Sequence, residues 1–162
     1  MSIYYDRFIP EWIKRAERKD VMVDNADRFM ALWVAFNGWL KKKYGESRTD
    51  KMLINKAKEN EELKSIFETN KTGNDEYKIY LTRLEQYSVR DMRKPDDENR
   101  NKEYDGSYES LIEVIYQIRC NLFHGRKNVD EDEKDYELIE MAYHLLLPIF
   151  KEALRKDYIY LD

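Results

Sequence analysis

The chain has 162 residues and a net charge of −4, from 29 lysines and arginines against 33 aspartates and glutamates. This length supports one domain with a proper core, and the acidic balance disfavours a protein that tracks long duplex nucleic acid without specificity. The single cysteine excludes a disulfide framework; the longest apolar run, Phe29 to Phe36, is far too short for a membrane span, and with no signal-peptide pattern at the start the sequence reads as that of a soluble cytoplasmic protein.

Residues 3–19 place Ile3, Phe8, Trp12, Ile13 and Ala16 among charges, which predicts a short amphipathic helix with Pro10 near its first turn. Residues 25–44 are the main core helix. Asp24, Asn25 and Asp27 offer caps, and Phe29, Leu32, Trp33, Phe36 and Leu40 follow helical spacing. Met30, Val34, Ala35 and Trp39 make it apolar nearly all round, so it is buried, or buried on one side and paired on the other. Lys41 to Lys43 suit its negative end and Gly45 stops it. Asn37, its lone interior polar residue, is expected as a hydrogen-bonded core amide.

Residues 49–70 predict one or two short surface helices, and residues 75–88 another amphipathic one, with Tyr77, Tyr80, Leu81, Leu84 and Tyr87 on its face. Residues 89–106 are dense in charge and nearly without apolar groups, so a flexible, solvated loop is expected there. Ser107 can cap the next helix, whose apolar face is Tyr108, Leu111, Ile112, Ile115, Ile118 and Leu122, and Gly125 is placed to end it. An acidic turn at 129–135 precedes a last helix from about 136 to 156, with Pro148 inside. The fold class is all-α, a bundle of five or six helices in a single domain. Aromatics at 14% exceed what one core needs, and Trp33, Trp39 and Phe123 are expected to serve an interface.

The chemistry concentrates in Arg119 to Lys127, which holds one of only two histidines. Metal-free RNA cleavage needs a base for the 2′-hydroxyl, an acid for the 5′-oxygen, and a cation for the phosphate oxygens. His124 titrates near neutrality and Arg119 carries a planar, permanently charged fork. Arg126 and Lys127 could hold flanking phosphates. Five residues rotate a straight helix by roughly 140°, so Arg119 and His124 converge only if the helix ends between them or both sit at a shared edge. Alternatives stand beside this one. The cations could merely answer a helix dipole. Cys120 lies four residues before His124 and could form a thiol–imidazole pair. The other histidine, His144, follows Glu140 by four residues and is expected to be ion-paired or at an interface. No ligand spacing points to a metal, no glycine-rich loop points to a nucleotide, and no cofactor is implied.

The run IYQIRCNLFHGRK, residues 115–127, resembles the signature of HEPN domains, in the Apea-like branch found in prokaryotic defence and toxin proteins. The run FMALWVAFNGWLKKKYG, residues 29–45, is similar to that branch's first core helix. The resemblance implies a bundle that dimerises through its motif helices, and a metal-independent endoribonuclease in a toxin or anti-phage role, with RNA as substrate and an antitoxin or regulator as a possible partner. It makes Arg119 and His124 catalytic and sets Asn121 at the substrate. Two positions depart from the pattern. Cys120 stands where many active members have a polar residue, and Arg126 stands where toxins silenced by nucleotidyltransferase partners have tyrosine. Some members of the family are noncatalytic and bind RNA, nucleotides or proteins.

Overall fold

The computed structural model describes residues 2–18, 24–123 and 133–157. Those residues form seven α-helices: α1 Ser2–Ala16, α2 Asn25–Tyr44, α3 Asp50–Glu59, α4 Glu61–Gly73, α5 Asp75–Leu84, α6 Tyr108–Phe123 and α7 Glu133–Lys156. The count exceeds five or six because residues 49–70 divide in two. Asn60 closes α3, and its side chain accepts the Leu63 N–H at 2.8 Å to open α4; Asn74 repeats the device between α4 and α5. Neither short helix lies idle on the surface, since Leu53, Ile54 and Ala57 of α3 and Leu63, Ile66 and Phe67 of α4 are all buried. Among the described residues no helix is long and apolar enough to cross a membrane.

The bundle is built around α2 and α7. α1 covers one side of α2, α7 packs against another, α4 and α5 lie on α7, and α6 packs on α3. This explains why α2 is apolar nearly all round: both of its faces are used inside one chain. Trp33 and Trp39, expected at an interface, are therefore core residues, 2% and 1% exposed. Phe150 of α7 meets Phe36 at 5.2 Å and Trp39 at 5.7 Å between ring centroids. Of the three expected interface aromatics, Phe123 alone is exposed.

Pro10 lies in the middle of α1 rather than in its first turn, because the helix already begins at Ser2. A mid-helix proline costs about 3 kcal/mol in an isolated helix. Here Tyr5, Ile9, Ile13 and Ala16 are all buried on one stripe, which offsets that cost. Gly38 permits the close approach: a Cβ there would stand 2.7 Å from the Phe8 ring. Three buried tyrosine hydroxyls tie helices together by donating to backbone carbonyls: Tyr77 to Leu145, Tyr108 to Ala57 and Tyr143 to Ala16, each at 2.7 Å.

The stretch 89–106 is not the featureless linker its composition suggests. Short antiparallel strands β1 Ser88–Val89 and β2 Lys102–Glu103 pair across it, and a 3₁₀ turn spans Glu98–Arg100. Most of its charges are exposed, but one carboxylate is buried and matched within the segment. Asp91, 3% exposed, accepts from Arg93 at 3.0 Å and from Arg100 at 2.9 Å. The Arg93 and Arg100 side chains hold its carboxyl well below the usual carboxylate range. Both arginines reach solvent, so the pairing is expected to contribute only about 1 kcal/mol. Because the folded pKa is lowered, that contribution is present above the unfolded value near ~4 and is lost as pH falls below it. Asp91→Ala is expected to make Arg93 and Arg100 the first sites cut by trypsin at neutral pH. Unchanged cleavage order would show that Asp91 does not hold this segment.

Candidate active site

α6 is positioned from its start. The Ser107 hydroxyl oxygen accepts the Ser110 N–H at 3.1 Å, which caps the helix as expected. Asp105 in turn accepts from the Ser107 backbone N–H and hydroxyl, which hold its carboxyl down to about 2. Leu111, Ile112, Ile115 and Ile118 bury one stripe of α6. Near its end, Arg119 and Phe123 face a groove.

That groove, of about 350 Å³, is lined by Phe8, Trp33, Asn37, Lys41, Asp50 and Arg119. The Arg119 guanidinium is 20% exposed and lies 3.0 Å through Nη2 from Oδ2 of Asp50. It also sits 4.4 Å above the Phe123 ring centroid and 5.8 Å from that of Trp33. These contacts orient a group that would otherwise sample many rotamers. Asn37 donates from Nδ2 to Oδ1 of Asp50 at 3.2 Å. It is a satisfied amide, as expected, but it faces the groove and not the core. Asp50 went unnoticed in the sequence. It is the first residue of α3, just after the capping Thr49, where a carboxylate suits the helix dipole, and nothing in that local signal connects it with Arg119.

Asn121 spends its amide on the neighbouring chain. Its Oδ1 accepts the Met92 N–H at 3.0 Å and Gln117 Nε2 at 2.9 Å, and its Nδ2 donates to the Arg90 carbonyl at 2.6 Å. The residue expected at the substrate is thus a latch that fixes residues 90–92 to α6. Cys120 is half-buried and takes a weak contact at 3.9 Å from Nη1 of Arg119. Beside it, burial pushes the Tyr116 hydroxyl up to about 12, with the Cys120 thiol adding to the effect. His124, Arg126 and Lys127 lie outside the described residues, and with them Gly125 and the thiol–imidazole pair. The His144 ring stacks on Tyr80 at 4.6 Å, and burial lowers its pKa while Glu140 opposes that shift. Among the described residues no three His, Cys, Asp or Glu side chains group to hold a metal ion.

Comparison with family models, curated proteins and solved structures yields no match.

Proposed function

We propose that this protein is a metal-independent endoribonuclease of the HEPN kind. The observation that carries this reading is the motif itself, Arg119 followed by His124, Arg126 and Lys127, with the Arg119 guanidinium opening on a groove that also holds Asn37 and Lys41. The ribose 2′-oxygen attacks the adjacent phosphorus while a histidine takes its proton. A new 2′-O–P bond forms, the P–O5′ bond breaks, and the leaving 5′-oxygen takes a proton from a second histidine. Arg119 stabilises the charge on the phosphate oxygens. One motif holds one histidine, so the second comes from another copy across a two-fold axis, where each chain presents the same patch. A toxin or anti-phage role, held in check by an antitoxin or another regulator, suits such an activity.

RNA incubated with the purified protein is expected to be cut in excess EDTA, leaving 2′,3′-cyclic phosphate and 5′-hydroxyl ends, while DNA of the same sequence survives. Strict magnesium dependence would overturn the mechanism. Titrating wild-type chains with His124→Ala chains tests the shared site. Activity is expected to fall toward the square of the wild-type fraction, and a linear fall would exclude a composite site.

The second reading is a noncatalytic module of the same kind that binds nucleotide, RNA or a partner protein. The Arg119–Asp50 pair favours it, because a guanidinium held by a carboxylate serves binding and positioning without chemistry.

A further inference from the structure

The groove beside Arg119 has a lopsided inventory of polar groups. Its donors are the Arg119 guanidinium, the Lys41 ammonium, the Asn37 amide, the Trp33 indole N–H and the Tyr5 hydroxyl, which already donates to Glu46 at 2.8 Å, and its one carboxylate is Asp50. Two of those donors are buried without an acceptor among the described residues: Nε1 of Trp33 and Nε of Arg119. Such orphans are few in folded proteins, and each asks for an explanation. The Lys41 ammonium likewise makes no hydrogen bond or ion pair to another described side chain. Asn37 and Lys41 are one helical turn apart on α2, so both project toward the same stretch of groove.

A site rich in donors, with two of them unanswered, fits a ligand that only accepts hydrogen bonds and carries negative charge. A phosphodiester group has that character, and an arginine fork matches its oxygens. Asp50 already gives Arg119 part of what such a group would offer, through one oxygen at 3.0 Å, while Asn37 holds its other oxygen at 3.2 Å. Both partners remain partly exposed, at 20% and 35%, so the pair can open at modest cost.

We propose that this groove is a phosphodiester-binding site in which Asp50 occupies Arg119 until an RNA phosphate displaces it, with Asn37, Lys41 and the Trp33 indole N–H completing the cradle. This deepens the function proposed above, since it rests on Arg119 being a phosphate ligand. Asp50 acts through Arg119 and is a positioning residue, one that sets the affinity for RNA.

The test uses a 2′-O-methyl oligoribonucleotide, whose blocked nucleophile prevents cleavage, with binding read by fluorescence anisotropy at fixed salt. The indole N–H cross-peaks of the three tryptophans are followed in parallel in the ¹⁵N-labelled protein, with that of Trp33 assigned through Trp33→Phe. Asp50→Asn is expected to bind about two- to fivefold tighter, the gain from releasing a partly exposed ion pair. Asp50→Glu, which keeps the charge, stays near wild type, and Arg119→Ala in the Asp50→Asn background removes the gain. The Trp33 cross-peak moves as oligonucleotide is added. A folded Asp50→Asn protein that binds no tighter, a gain that survives Arg119→Ala, or an unmoved Trp33 cross-peak would each overturn the proposal. Should Asp50→Asn fail to fold, the wild-type Trp33 shift and its loss in Arg119→Ala decide the matter. Cleavage of unmodified RNA is assayed separately. Tighter binding without any cleavage would keep this site and defeat the ribonuclease, whereas cleavage with an indifferent Asp50 would do the reverse.

Discussion

His124→Ala is expected to lower RNA cleavage by about 10²–10⁴-fold, the usual cost of losing a positioned general acid or base. Arg119→Ala is expected to lower it by about 10²–10³-fold, because the charge growing on the phosphate loses its main cationic partner. The two losses have different structural backgrounds. Arg119 pairs with Asp50 and lies over Phe123, so its removal also touches the fold. The pair is partly exposed, and its loss costs at most about 1 kcal/mol. Circular dichroism and the denaturation midpoint should therefore move little while activity falls by orders of magnitude. Either variant cutting RNA at the wild-type rate, with its fold intact, would remove that residue from the mechanism. Cys120→Ser should remain active, and a folded but inactive serine variant would bring back the thiol–imidazole chemistry.

Phe150→Ala is expected to destabilise the protein by about 3–5 kcal/mol, the range for deleting a fully buried aromatic ring. Phe150 is 0% exposed and is the point where α7 meets the rings of Phe36 and Trp39. The cavity left behind would be walled by two helices that cannot both collapse inward, since α2 is also held by α1. Urea unfolding at one fixed protein concentration measures the loss and keeps any association out of the comparison. A change below about 1 kcal/mol would show that the α2–α7 contact is not the centre of the core.

The helices were legible because burial in a bundle repeats with the helical period. Phe29, Leu32, Trp33 and Phe36 announce α2, and Leu111, Ile112, Ile115 and Ile118 announce α6. What stayed hidden was held by contacts without a period. The 89–106 segment is fixed by one buried carboxylate, Asp91, and by the Asn121 latch, which joins a side chain to backbone far away in sequence. Composition alone could only record that the segment was charged. The Arg119–Asp50 pair was missed for the same reason: each half looks ordinary where it stands, an arginine late in one helix and an acid early in another. The aromatic excess was counted correctly and placed wrongly. Trp33 and Trp39 fill a core between three helices that periodicity could identify only one at a time.

The tyrosine struts make the fold answerable to base. A phenolate cannot donate, so the ties from Tyr77, Tyr108 and Tyr143 to the helix carbonyls exist only while those hydroxyls keep their protons. Burial raises all three, Tyr143 to about 12. The native chain therefore retains protons that an open chain surrenders near ~10. The stability they contribute is whole below that value and drains away as pH climbs toward the folded values. Their ultraviolet ionisation signal should lag behind that of the surface phenols and arrive together with the loss of helix, which makes these chromophores a gauge of whether the seven helices come apart as one unit.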